Sequence, residues 1–480
     1  MRNIEHIYID GAFVRPHGVE RGALFNPATG EIIGHVTLGD EEDTHRAIAA
    51  AKRAFPAFSR TSKQERIAML HRLHDVVLAG ADALTAAAVE EYGGPIAQAS
   101  WRASLAAASF LSAAQTLEDY AYTRWIKDAE VVMEPLGVVG VITPWNNNYG
   151  FICGKLAMAI AAGCTTVIKP SEMSATQTQV LAECLHKAGL PTGVMNIVNG
   201  RGDVVGAQLS THPDIAKMSF TGSTVVGKTI LRNSADTMKR VTLELGGKSA
   251  LLVLDDADFA DTVPKALLAG FSNNGQACIA STRILVPEVR LAEFCALLRT
   301  AVEAVKVGNP RDADTAVGPL VSRTQYERVQ QYIKLGAQGG ATVLIGGEGR
   351  PAGLEADLDE GYFVKPTVFV DVTNDMRIAR EEIFGPVLCV ISYRTEEEAI
   401  AIANDTVYGL HAYVSSSNEE RAHAVAMQLV AGRVLINGFH HEPLAPFGGF
   451  KQSGLGREYG VFGLEAHLEP KAVLGIRRAA

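Results

Sequence analysis

The stretch FTGSTVVG, residues 220–227, decides how the middle of the chain folds. The run leading into it, AKMSFT, reads as a strand. Gly222 and Ser223 then open a helix, and Gly227 follows within its first turn. A strand that hands over directly to a helix leaves free backbone N–H groups and a positive dipole end at the junction, which suits a pyrophosphate.

The same pattern extends outward in both directions. VVMEPLGVVGVITPWN, CTTVIKPSE, VMNIVNG, KRVTLELGG and SALLVLDD each hold a short β-branched run ended by Pro or polar residues. Helical stretches lie between several of them, such as 174–188, closed by Gly189 and Pro191. Strand–helix alternation predicts an α/β fold, a parallel sheet covered by helices on both faces, with ligands at the carboxyl ends of the strands. A second α/β block spans roughly 247–447. The first third reads as mostly helical, over 40–59, 62–92 and 103–122. No internal repeat or low-complexity linker marks a domain boundary.

A chain of 480 residues has room for two or three domains, and 47% hydrophobic with 20% charged residues is an ordinary globular composition. A net charge of −9 at this length favours neither nucleic acid nor an anionic membrane as partner. The six cysteines include no CxxC pair and resemble no disulfide framework or zinc site, so a reduced, cytoplasmic setting and no metal are expected. The start, MRNIEHIYIDGAF, lacks a signal-peptide apolar core, and the longest uncharged stretch holds two prolines and three asparagines, unsuited to a bilayer.

Two further motifs bear on a dinucleotide. GRGDVVG (Gly200, Gly202, Gly206) follows the strand VMNIV, but its last glycine comes one residue later than in GxGxxG, so a plain loop explains it as well as a nucleotide site. VIKPSE puts Lys169 and Glu172 just past another strand. A carboxylate there can accept hydrogen bonds from both ribose hydroxyls and would repel a 2′-phosphate, favouring NAD over NADP. Taken alone, the two are solvated loop charges.

Cys278 stands in FSNNGQACIASTR among small and polar neighbours, ahead of a strand at 283–286, where a core cysteine would sit among Leu, Ile and Val. Inert filler is the commoner fate of a cysteine. Three other stretches offer it company. Asn146 in TPWNNN has an amide that could donate, with the Cys278 backbone N–H, to a developing oxyanion. Glu244 in LELGGKS ends a strand beside two glycines and could serve as general base for a water. Glu382 and Phe384 in EEIFGPV add an acid and an apolar plate. Each alone also reads structurally, as an Asn turn, an edge-strand Glu and a capping Glu.

Together these residues closely resemble the aldehyde dehydrogenase superfamily. The matches run from NPATGE (26–31) through PWN (144–146), KPSE (169–172), FTGS (220–223), LELGGKS (243–249), GQ and Cys278 (275–278), VGNP (307–310) and EEIFGPV (381–387) to PFGGFKQSGLGRE (446–458). The resemblance implies Cys278 as nucleophile, Glu244 as general base, Asn146 as oxyanion donor and Lys155 as a supporting lysine. For NAD it implies Lys169 and Glu172 at the adenosine ribose, Gly202 and Gly206 near the adenine, and Gly222, Ser223 and Gly227 at the pyrophosphate. Glu382 would hold the nicotinamide ribose with Phe384 beside it, and Ile142, Trp145, Phe220, Val226 and Leu245 would complete the cofactor contacts. It implies an aldehyde-dehydrogenase-like architecture: a Rossmann-type cofactor domain (1–117 and 136–246), an α/β catalytic domain (247–447), and a small β oligomerisation flap with the C-terminal tail (118–135 and 448–480), in a homodimer or homotetramer.

The chemistry then expected is attack of the Cys278 thiolate on an aldehyde, loss of hydride to NAD to leave a thioester, and hydrolysis by a water that Glu244 deprotonates. Two rivals remain: a coenzyme-A-acylating semialdehyde dehydrogenase, which needs no base at position 244, and a catalytically idle protein that kept the fold. Three departures concern the substrate. Asn147 and Asn148 follow the oxyanion Asn where an aromatic and a Pro are frequent, Gly154 replaces a frequent aromatic before Lys155, and FHHEPLAPF brings His440, His441 and Glu442 to the mouth. A wider, more polar pocket is the expectation, unless these side chains point away or meet a second subunit.

Overall fold

The computed structural model describes residues 2–475; Met1 and residues 476–480, the end of the expected tail, lie outside the described residues. An eight-stranded and a seven-stranded sheet carry the two α/β blocks, with two three-stranded sheets beside them.

In the first large sheet the parallel strands Arg240–Glu244, Ile215–Thr221, Val138–Ile142, Thr165–Lys169 and Met195–Ile197 lie side by side. Alternate residues explain why both faces are covered. Val139, Val141 and Ile168 pack among the helices Lys63–Ala79, Ile96–Asp119 and Asn148–Ala162. Val138, Ile142 and Val167 pack on the opposite face against Ala47, Ile48 and Ala51 of the helix Glu41–Phe58 and Ile230 of the helix Thr224–Ala235. A strand with both faces buried must be apolar throughout, which is why these runs are continuous in sequence. Asp40 and Ser62 start their helices with reciprocal caps from Asp43 and Glu65.

The second large sheet orders Thr342–Ile345, Thr367–Val370, Val387–Tyr393, Ser281–Pro287, Ser249–Val253, His411–Ser415 and Arg433–Ile436, parallel except at its first pair. It opens at Ser249, just after the glycines at 246 and 247.

The first third is mostly helical, as expected, although strands Arg2–Ile4, Ile7–Ile9, Ala12–Val14, Arg21–Phe25 and Ile32–Thr37 precede the first long helix. Two expectations need revision. The run 62–92 is two helices, divided at Gly80. The segment from 448 onward is not one tail. Gly454–Leu455 pairs with Arg240–Glu244 in the first large sheet, and Gly460–Glu465 packs on helices of that half. Among the described residues of this segment, only Leu468–Val473 joins the hairpin of Thr123–Ile126 and Ala129–Pro135.

Candidate active site

The carboxyl ends of the parallel strands form one line. Glu244 pairs with Thr221, Phe220 with Ile142, and Ile142 with Lys169. The cofactor candidates sit along this line. Ser223 caps the helix Thr224–Ala235, its hydroxyl accepting from Val226 N–H at 3.4 Å. Ile142, Phe220 and Leu245 are buried beneath as an apolar floor, while Val226 stays exposed. Gly227 lets the helix lie close on that floor, since a Cβ there would come within 2.6 Å of the Leu245 side chain, which would have to shift. Gly202 opens a short π-helical turn to Gly206, and a side chain at Gly202 would meet only open space. Lys169 is no solvated loop charge: it is buried and donates to Glu172 at 3.0 Å and to the Pro170 carbonyl at 3.1 Å. An open turn, a free helix start, a buried cation and a half-exposed carboxylate fit the pyrophosphate and ribose of a dinucleotide.

Cys278 lies on the loop joining the helix Phe259–Phe271 to the strand Ser281–Pro287. Asn273, Asn274 and Gly275 take three successive left-handed conformations, φ 60°, 59° and 70°. Such a run persists only when the surroundings hold it, and here they do. Asn274 donates to the carbonyls of Gly93 (3.0 Å) and Pro319 (2.9 Å). Gln276, fully buried, donates to Tyr92 Oη and accepts from Val321 N–H. Gln276 is therefore turned inward as a strut. Gly275 allows close approach, because a Cβ would collide with Gly385 and Pro386, next to the segment carrying Glu382 and Phe384.

Asn273 ties the loop of Cys278 to Asn146. Its amide donates to the carbonyls of Asn146 (2.8 Å) and Gln276 (3.1 Å), and Asn146 Nδ2 donates to the same Gln276 carbonyl at 2.9 Å. The other N–H of the Asn146 amide has no partner among the described residues. The Cys278 N–H makes no backbone hydrogen bond among the described residues. Arg102 donates in turn to the Asn273 oxygen from the helix Ile96–Asp119. Behind Asn146, Trp145 stacks edge-on against Phe384 at 5.5 Å.

Electrostatics single out three groups. Burial, then the carboxylates of Glu382 and Glu244, pushes the Cys278 thiol up to about 12. Burial lifts Glu382 to about 7, although its oxygen accepts from Gly247 N–H at 2.9 Å. Glu244 is held well above the usual carboxylate range, by burial first and then by Glu458, against the cations Lys155, Arg457 and Arg433. Both Glu244 oxygens are buried without a hydrogen bond. It is not on an edge strand, since Gly454–Leu455 covers that side.

Lys155 is buried and donates to Ser219 Oγ at 3.0 Å and to Glu458. Glu458 was not singled out from sequence, although it closes the PFGGFKQSGLGRE motif; its charge partner lies far away in the chain. Of the asparagines expected to make the pocket polar, Asn148 does not: it is fully buried and donates to Thr178 at 2.9 Å. His440 and Glu442 are exposed and bond within their own loop, to the Ile436 carbonyl and the Leu444 N–H. His441 faces Tyr459. The described residues contain no cluster of metal-ligating side chains, and all six cysteines are free.

Residues 13–473 match the model of the aldehyde dehydrogenase family. The chain is 47% identical, over 99% of each sequence, to 3-succinoylsemialdehyde-pyridine dehydrogenase of a Pseudomonas species. It is 43% identical, again over 99% of each, to putative aldehyde dehydrogenases of Staphylococcus aureus. Among solved structures it is similar to a variant of aldehyde dehydrogenase C from Pseudomonas syringae in complex with NAD+ and octanal (TM-score 0.97, 44% identity, 99% and 98% of the two chains). It is also similar to betaine aldehyde dehydrogenase from Staphylococcus aureus in complex with NAD+ (TM-score 0.94, 37% identity, 98% and 94%).

Proposed function

The chain belongs to the aldehyde dehydrogenase family, and on that premise we propose that it oxidises an aldehyde to the carboxylic acid with NAD, through a covalent intermediate on Cys278. The observation that carries the reading is the Glu244 carboxylate, buried with both oxygens unpaired and close enough to press on the Cys278 thiol.

The residues act as follows. Asn146, with a free amide N–H, and the Cys278 N–H face the carbonyl oxygen as the sulfur adds to the aldehyde carbon. A thiol held near 12 needs a base to ionise, and Glu244, raised by burial, is suited to take that proton. NAD, when bound, supplies the two-electron acceptor that leaves a thioester on Cys278. Lys169, Glu172, Ser223, Gly202 and Glu382 would hold it. Glu244 then deprotonates the water that releases the acid and restores the thiol. Glu458, paired with Lys155 and facing Glu244, offers the proton a next acceptor.

The two large sheets support a division into a cofactor domain and a catalytic domain that meet at residues 246–249, with the sheet of Thr123–Ile126, Ala129–Pro135 and Leu468–Val473 as a flap for self-association. A dimer or tetramer and a cytoplasmic setting belong to this proposal; no helix among the described residues is long and apolar enough to cross a membrane.

Turnover of NAD against an aldehyde panel tests the reading. Cys278→Ala should abolish NADH formation, and NADH that survives it removes the assigned role. Added coenzyme A should leave the free acid as product, since Glu244 serves hydrolysis; acyl-CoA as main product would move the chain to the acylating branch.

A further inference from the structure

We propose that Tyr459 sets the substrate preference of this site, selecting aldehydes that carry a second oxygen acceptor along the chain; the inference rests on the aldehyde-oxidising reading above. Tyr459 has φ 70° and ψ 152°, a backbone conformation that side chains rarely adopt. The adjoining Gly460, φ 53°, lies so close to the Leu444 carbonyl that no Cβ would fit. The surroundings force this conformation and aim the ring.

On one side the ring lies 5.5 Å from Phe447 and 6.4 Å from His441, centroid to centroid. The Arg433 guanidinium sits over both Phe447 (5.3 Å) and Tyr459 (5.5 Å). The same guanidinium donates to the carbonyls of Pro446 (2.8 Å), Glu442 (3.1 Å) and Ala445. The mouth loop and the tyrosine are thus held by one cation.

On the other side is Gly154. A Cβ built there would touch only Tyr459, at 3.9 Å. The ring therefore stands beside the space that a larger residue before Lys155 would fill, and Gly154 leaves that space open. Gly448, next to Phe447, lies so close to the base that a Cβ there would meet Glu244 Oε1 at 2.8 Å, so the ring packed on Phe447 stands beside the reacting groups; burial first, then Glu458, keeps the phenol protonated against the pull of Arg433. Its hydroxyl makes no hydrogen bond among the described residues and is not a sealed atom. Phe447 supplies an apolar wall; Tyr459 adds one unspent donor. A site built to hydrogen-bond a substrate oxygen discriminates against the analogue without it, because its donor is then left unpaired.

The test compares kcat/KM for levulinaldehyde with that for pentanal, two aldehydes of equal chain length that differ by a ketone oxygen. The wild type is expected to favour levulinaldehyde, and Tyr459→Phe to cut the ratio about tenfold, the worth of one neutral hydrogen bond. Gly154→Phe, which pushes the ring aside, should cut it as well and becomes the deciding variant if Tyr459→Phe fails to bind NAD. A wild type that favours pentanal, or a ratio that the deciding variant leaves unchanged, overturns the proposal. A wild type that reduces NAD with neither aldehyde, nor with any of a broad panel, overturns the aldehyde reading instead.

Discussion

Glu91 and Glu244 are both sealed inside the molecule, and burial lifts both above the usual carboxylate range. Their partners differ. Glu91 accepts from Thr176 N–H (2.7 Å), Gln177 N–H (3.0 Å) and the Gln177 amide (3.2 Å), and so pins the start of the helix Ala175–His186. Glu244 accepts from nothing. A buried acceptor left unpaired costs about 1–3 kcal/mol. Burial and a raised pKa do not by themselves mark a catalytic acid; what sets Glu244 apart from Glu91 is that its oxygens have no protein partner and that its charge presses on Cys278.

The sharpest way to break this contrast is to neutralise each carboxylate. Glu244→Gln should lower steady-state turnover roughly 10²–10⁴-fold and slow the initial burst of NADH with it, because the same base ionises Cys278 and activates the water. Glu91→Gln should leave turnover intact. Stopped-flow absorbance separates the two, and equal losses would erase the distinction. Next in size, Asn146→Ala should reduce kcat by about 10²–10³-fold without altering NAD binding, since it removes a donor to the oxyanion and none to the cofactor.

Stability sharpens the other half. Glu91 titrates at about 7 in the fold against an ordinary 4.5, so the folded state binds its proton more tightly than the unfolded chain. The stabilisation from that proton is full below 4.5 and is lost as pH rises toward 7. The wild type should therefore lose roughly 3 kcal/mol relative to Glu91→Gln over that window, seen by calorimetry as a falling difference in Tm. A flat difference would mean the carboxylate is not sealed. The mildest test uses a carboxylate that is paired and half exposed. Glu172→Gln should narrow the preference for NAD over NADP by roughly fivefold, about 1 kcal/mol of screened repulsion, read from the two KM values.

The sequence revealed some parts of this arrangement and concealed others, for physical reasons. Cys278, Asn146 and Glu244 could be picked out because each stands in a short motif that the resemblance matches, and the structure hydrogen-bonds Asn146 to the loop of Cys278 and puts Glu244 within electrostatic reach of the thiol. The parallel strands were legible because burial on both faces leaves continuous apolar runs. The opening strands were not: runs of three residues such as Ile7–Ile9 are too short to show a period of two. Gly454–Leu455 is only two residues long and is a strand solely because Arg240–Glu244 lies beside it. Arg102 and Asn273 escaped notice because their roles depend on a left-handed turn that brings a distant helix to the loop. Asn148 misled because a polar residue beside a site looks the same in sequence whether it faces the pocket or a neighbouring helix. Tyr459 lies just past a recognised motif, and its meaning depends on Gly154, about three hundred positions earlier.

The short pairing of Gly454–Leu455 alongside Glu244 also carries a lesson about synthesis. Thiol, amide and base all leave the ribosome well before residues 454–458 do. Until that late piece docks, the base lacks its flanking strand and Lys155 lacks Glu458. A nascent or truncated chain would hold Cys278 and Glu244 without this flanking strand and ion pair, so the site is complete only once residues 454–458 have docked.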